Sequence, residues 1–277
     1  MKMNDLILNR DTFPKTDRMP VLFLGHGSPM NAIEDNDFVR GWIAVGKNLP
    51  RPSAILCISA HWETRGTWVT AMEKPPTIHD FGGFPEKLYE IQYPAPGNPE
   101  LAKETMALIS KAEVGLDHKW GLDHGTWSVI MHMYPEADVP VIQLSLDYYQ
   151  PPRYHYELAK GIAPLREKGV LIVGSGNIVH NLGRVAWDKP ADKEYGYDWA
   201  IEAKEKMKKF ILTGDHNSLI NYTSQGEAFR LAIPTPEHFL PLIYILALKE
   251  ENETVSFFND KNIGGSLAMT SVKIWGS

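Results

Sequence analysis

A chain of 277 residues, 43% hydrophobic and 22% charged, is long enough for one large soluble domain with a full core. A net charge of −6 without a basic cluster argues against nucleic acid as a partner, and a single cysteine, Cys57, excludes an internal disulfide framework. No apolar run approaches the roughly 20 residues that span a bilayer, and the mixed-charge start (MKMNDLILNRDTFPKTDRMP) does not read as a signal peptide, so a cytoplasmic location is expected.

Residues 1–18 are polar and are expected to form an arm over the surface, with one domain over 19–277. Val21 to Leu24 reads as a short buried strand that breaks at once into Gly25-His26-Gly27-Ser28-Pro29. Glycines on both sides of a histidine free the backbone to turn sharply and let a ligand approach closely. The spacing of Phe38, Trp42, Val45 and Leu49 predicts a helix over 37–49, stopped by Pro50. Ser53 to Ala60 is apolar throughout, as in a strand covered on both faces, and is closed by His61-Trp62. Cys57 within it reads as a buried, inert thiol. A further strand is expected over 67–72. Residues 74–99 are rich in proline and glycine, and so long a loop inside a compact domain is usually functional, a lid or a site wall.

Helices are expected over 100–111 and 123–133, a strand over 139–146 and a helix over 152–167. The apolar run 170–174 is a strand leading into Ser175-Gly-Asn-Ile-Val-His180-Asn181. A charged amphipathic helix over 195–212, an apolar helix from Pro234 through Ala247, and strands over 254–258 and 267–274 complete the chain. Strands alternating with helices predict a three-layer α/β domain with a central, mostly parallel or mixed sheet. In such sheets chemistry collects at the carboxyl ends of the strands.

His26, His61 and His180, three of ten histidines, each follow an apolar strand, which points to a metal site at those strand ends. Neutral imidazole suits zinc, iron or copper. The absence of CxxC and HExxH spacing excludes a zinc finger and a common zinc protease. His238 is expected at a helix start, with Pro236 favoured at the first helical position. Its neighbour Glu237 is either a carboxylate ligand of a 2-His-1-carboxylate centre or a cap. His124 follows Asp123 at a helix start, so it either sits beside an N-cap or enters a pocket as an acid, a base or a donor to substrate. His79 lies in the 74–99 loop near Phe81 and Phe84, a composition suited to contact with a flat ring or to anchoring the loop. His118 is a weaker candidate, and His132, His155 and His216 read as helix or loop surface. Ser28 lacks the G-x-S-x-G elbow of a serine hydrolase.

Taken together, GHGSPM (25–30), SAHW (59–62), PPTIHDFGGFP (75–85), DHGTW (123–127), GSGNIVHNL (174–182) and TPEHFLP (235–241) resemble the extradiol 4,5-DOPA dioxygenases. These are relatives of the catalytic subunit of protocatechuate 4,5-dioxygenase, and the motifs occur in order from Met19 to Ile274. The resemblance implies an extradiol ring-opening oxidoreductase with one mononuclear divalent metal, iron(II) for the activity. It implies His26, His61 and His238 as metal ligands, and His180 against the metal as acid/base catalyst or fourth ligand. It also makes His124 the second pocket histidine, in contact with substrate and able to move a proton, with His79 available to a polar substituent. The implied partners are a small catechol such as DOPA and dioxygen, and the product is a ring-opened semialdehyde. Ring-cleaving relatives use a glutamate as third ligand where this chain offers histidine, and a histidine-rich shell holds zinc well. A zinc-dependent hydrolase or lyase on the same histidines is therefore a rival reading, as is a non-catalytic binding protein on this fold. No feature points to a membrane or to a particular oligomeric state.

Overall fold

The computed structural model describes residues 14–189 and 193–276. Among them, a six-stranded sheet runs in the order Val141–Gln143, Ala54–Ser59, Val170–Gly176, Val21–Gly25, Ser271–Trp275, Thr254–Phe258. The first four strands are mutually parallel, and the Ser271–Trp275 strand is antiparallel to both of its neighbours. The sheet is thus mixed, as expected. The three inner parallel strands, Ala54–Ser59, Val170–Gly176 and Val21–Gly25, are buried at every residue, so their sequences read as nearly continuous apolar runs.

The period of two then sorts those runs into two cores. Val21, Phe23, Leu56 and Ile172 face one side, packed under the helices Pro99–Leu108, Pro152–Ala159, Asp198–Thr213 and Leu240–Ala247. Leu22, Leu24, Ile55 and Val173 face the other, under Asp37–Asn48 and His124–Met133. The result is the three-layer single domain that alternation predicted. No helix among the described residues is long and apolar enough to cross a membrane.

Several boundaries differ from expectation. The run 139–146 splits after Gln143, where the chain changes partners. The Leu144 amide still donates to the Cys57 carbonyl at 2.9 Å, the Ser145 amide to that of Trp68 at 2.9 Å, and Leu146–Asp147 pairs with Glu63–Thr64. The expected helix over 152–167 is α-helical only to Ala159, then tightens to 3-10 over Lys160–Lys168 around Pro164, which cannot donate a helical hydrogen bond. The C-terminal helix begins at Leu240 rather than Pro234, with Pro241 in its first turn. The amides of Phe239 and Leu240 both donate to the Pro236 carbonyl, so Pro236 opens a turn and His238 lies in it. The polar arm is described only from Pro14, where Thr16 and Arg18 bind Glu167; residues 1–13 lie outside the described part.

Candidate metal centre

The segment Gly174-Ser-Gly-Asn177, at the carboxyl end of the central strand, holds three histidine-bearing turns in register. The Gly176 carbonyl accepts from the His26 amide at 3.0 Å, and the Ser175 carbonyl accepts from the Ala60 amide at 3.0 Å, next to His61. The Asn177 amide donates to the His238 carbonyl at 2.9 Å, and the Asn177 side chain accepts from the Gly27 amide. Gly27 takes φ +63°, the left-handed turn that a residue with Cβ resists. A Cβ on Gly176 would lie 2.1 Å from the His238 carbonyl oxygen, so only glycine lets that turn approach. His180, on the same connection, is fixed by its amide to the Ala232 carbonyl at 2.9 Å.

These turns bring His26, His61, His124, His180 and His238 around one cavity of about 510 Å³. Ring centroids of His26, His61 and His238 lie 5.0 to 5.2 Å apart, and His124 is 3.9 Å from His61. His180 stacks on His238 at 3.5 Å. The donor atoms of His26, His61 and His124 fall within 4.8 Å of one another, as do those of His180, Glu237 and His238.

Hydrogen bonding on the far side of each ring decides which nitrogen is free. Ser175 donates its hydroxyl hydrogen to the Gly125 carbonyl, so its oxygen accepts from His26 Nδ1 at 3.0 Å. Asp80 accepts from His124 Nδ1 at 2.9 Å and faces His61 Nδ1 at 3.4 Å. Glu237 accepts from His238 Nδ1 at 3.0 Å. In His26, His124 and His238 the Nδ1–H is committed outward, leaving Nε2 as a lone pair. His61 Nε2 stands 3.1 Å from the His26 Nε2 lone pair, close enough to share a hydrogen with it or to join it on one ion. With the His124 donor beside them, the residues present fit a divalent ion.

Electrostatics favour the same state. Burial, then the neighbouring imidazoles, push His26 and His238 well below the ordinary histidine value. Burial pushes His61 down to about 3 and His180 to about 4, the Glu237 carboxylate opposing this at His180. The rings are neutral at pH 7, as ligation requires. Burial alone would raise Asp80, but the hydrogen bonds from the His124 side chain and amide outweigh it and leave its carboxyl lowered. Asp123, the N-cap of the His124 helix, is fully buried and held by Ser59, Gln143 and Trp120. Asp123 caps that helix, and the His124 ring beside it lines the cavity.

Not every candidate joins. The 74–99 loop is pinned by Ile78 and Pro76 to Leu122 and by Tyr93 to the Tyr134 carbonyl, which makes it a wall, with Phe81 and Phe84 facing the cavity. His79 stands behind Phe81, among Tyr89 and Trp127, with Nε2 on the Ile91 carbonyl at 3.0 Å. It does not line the cavity. His118 is exposed and apart. His155 is fully buried, its Nδ1 sharing a hydrogen bond with the Tyr244 hydroxyl at 3.0 Å, not on the surface as expected. His132 and His216 are likewise half-buried and bonded to Asn31 and Tyr156. Cys57 is buried with its thiol pushed up by burial, the inert group that was expected. Asp80 and Ser175, which aim the rings, carried no separate signal: their partners lie 44 and 149 residues away.

Fold and site together define an α/β enzyme with a histidine metal centre at the carboxyl ends of parallel strands. Residues 20–267 match the family described as the catalytic LigB subunit of aromatic ring-opening dioxygenase. The chain is 47% identical over 271 residues to the 4,5-DOPA dioxygenase extradiol of Escherichia coli K12, covering 96% of this chain and 98% of that one. It is 37% identical to the Beta vulgaris protein of the same name, covering 91% and 94%. A crystal structure of an uncharacterized Escherichia coli K12 protein superposes with a TM-score of 0.81 at 43% identity, covering 93% of this chain and all of that one. The chain belongs to the LigB family, and is an extradiol aromatic ring-opening dioxygenase with a mononuclear metal site.

Proposed function

We propose that the protein opens a catechol such as DOPA beside its diol, consuming one dioxygen per ring and releasing a semialdehyde, with iron(II) held by His26, His61 and His238. The observation that carries this is the gathering of imidazoles, the donor atoms of His26, His61 and His124 within 4.8 Å of one another and the His238 ring 5.0 to 5.2 Å from those of His61 and His26, on a cavity walled mostly by apolar and aromatic side chains. When bound, the ion supplies the electronic link between catechol and dioxygen and a template for the diol.

The rest belongs to the chain. Phe81 and Leu267 stand among the cavity walls that exclude water and accept a flat ring. His180, neutral and stacked on His238, takes a diol proton, and the Glu237 carboxylate favours the imidazolium that forms. His124, backed by Asp80, presents its Nε2 to the substrate and moves the second proton. His79 supports Phe81 from behind and acts through it. A histidine donor set also suits zinc, which cannot pass electrons to dioxygen. The test strips the protein of metal, reloads it with iron(II) under ascorbate, and follows a yellow semialdehyde beside oxygen uptake with DOPA. Iron-loaded protein that binds catechols yet consumes no oxygen overturns the reading in favour of the zinc hydrolase.

A further inference from the structure

The floor and the rim of the cavity differ in kind. At the floor, His26, His124 and His238 are buried. At the rim the connection after His180 exposes Leu182 by 58% and Trp187 by 82%, and places Lys189 in the same lining. A catechol whose diol meets the histidines must direct its para substituent away from them, towards this rim.

Among the described residues that line the cavity, Lys189 is the one permanent charge, and none is an aspartate or glutamate. Two acids behind the histidines, Asp80 and Glu237, are occupied by imidazole Nδ1 hydrogens. The Lys189 ammonium lies 3.3 Å from Asp188, a neighbour whose side chain is 75% exposed, and 5.6 Å from the centroid of Tyr195. An exposed pair of that kind is weakly held, so the ammonium is free to turn to a ligand, while the aromatic face keeps it near the mouth. From this asymmetry we propose that Lys189 binds a carboxylate on the substrate's side chain, and that none of the described residues lining the cavity reads an amine there. The substrate class is then a catechol bearing an anionic arm, with the amino group of DOPA dispensable. This rests on the ring-opening reading of the site.

Three probes sharing one ring separate the cases: 3-(3,4-dihydroxyphenyl)propionate with a carboxylate alone, dopamine with an amine alone, and 4-methylcatechol with neither. Binding is measured by calorimetry on the metal-loaded protein, beside kcat/KM from oxygen uptake. The propionate is expected to bind roughly 5- to 20-fold more tightly than dopamine, the size of one charge-assisted contact at a partly solvated rim. DOPA should follow the propionate to within about threefold, since its extra amine finds no partner. Lys189→Met should collapse the propionate-to-dopamine ratio to within about twofold, and Lys189→Glu should invert it. Equal binding of propionate and dopamine by the wild-type protein, or a ratio that survives Lys189→Met, overturns the proposal. Oxygen uptake with 4-methylcatechol reports on the ring-opening reading alone. Probes that bind with the expected charge preference but are never opened would sink that reading and leave the role of Lys189 standing.

Discussion

The sheet carries a buried polar cluster at each pole, and the two are built on opposite principles. At the amino ends of the strands, Arg166 is almost wholly buried. It donates to the Met19 carbonyl at 2.8 Å, to the Leu248 carbonyl at 2.7 Å and to both oxygens of Glu253. Donor and acceptor are matched there, and the cluster is closed. At the carboxyl ends, five histidines line one cavity, and those hydrogen-bonded through Nδ1, His26, His124 and His238, are tied from behind. A buried lone pair left without a partner costs free energy, so a fold that gathers several is shaped for something that supplies the missing partner. The closed pole joins chain segments, whereas the open one binds.

The contrast breaks most sharply at the open pole's floor. His26→Ala removes a donor outright. Metal affinity should fall by roughly 10³-fold or more, beyond the 10- to 100-fold that loss of an outer partner costs. Elemental analysis after dialysis measures it, and ring-opening activity should vanish with the metal. Retained full occupancy would remove His26 from the ligand set, and the same measurement on His238→Ala and Glu237→Ala decides the third ligand. His180→Ala comes next, with kcat lowered by roughly 10²- to 10⁴-fold and a Tm within a few degrees of the wild type. Strong metal loss in that variant would instead make His180 a fourth ligand.

At the closed pole the signs reverse. Arg166→Met leaves Glu253 buried and unpaired, which should cost about 3 to 5 kcal/mol of stability, read by urea denaturation. Metal content of the surviving folded protein should stay at the wild-type level. If it fell in parallel with stability, the two poles would not be independent. Ser175→Ala is subtler, since it removes the acceptor that aims His26 and the hydrogen bond to the Gly125 carbonyl but leaves every imidazole in place. Metal affinity should drop by roughly 10- to 100-fold, and unchanged affinity would mean that the backbone alone sets the ring.

Much of this was legible one residue at a time. The strands at 53–60 and 170–174 announced themselves because both faces are covered, and an unbroken apolar run is the trace that leaves. The histidines that follow them were visible for the same reason. What was hidden depends on partners distant in the chain. Pro236 was expected at the first helical position, but local preference could not show that its carbonyl closes a turn and leaves the helix to begin at Leu240, with Pro241 in its first turn. Asp80 looked like a loop residue until the fold set it against two histidines from other segments. The rim offered no periodic signal, because Trp187 and Lys189 lie in an irregular connection.

His155 was misread because helical spacing does not say which neighbour will cover a face, and it supplies the mildest test. The ring is buried between the Pro152–Ala159 and Leu240–Ala247 helices, on Tyr244 and far in sequence from any proposed ligand. Burial lowers it to about 4. The unfolded chain has an ordinary histidine near 6.5. Between those values the unfolded state carries a proton that the folded state refuses, so acid favours unfolding. Stability should therefore be full above about pH 6.5 and fall towards pH 4, by at most about 1.4 kcal/mol per unit for this one group. Glu253 behaves differently. Burial opposes its ionisation, but the hydrogen bonds from Arg166 prevail and lower its carboxyl, so its contribution persists until the pH drops below the ordinary carboxylate range. Urea titrations from pH 7 to 4 should show the slope of the first phase reduced in His155→Gln and unchanged in Glu253→Gln. A slope identical in the wild type and His155→Gln would mean that His155 is protonated in the folded protein, and that its place in the apolar layer is wrongly described.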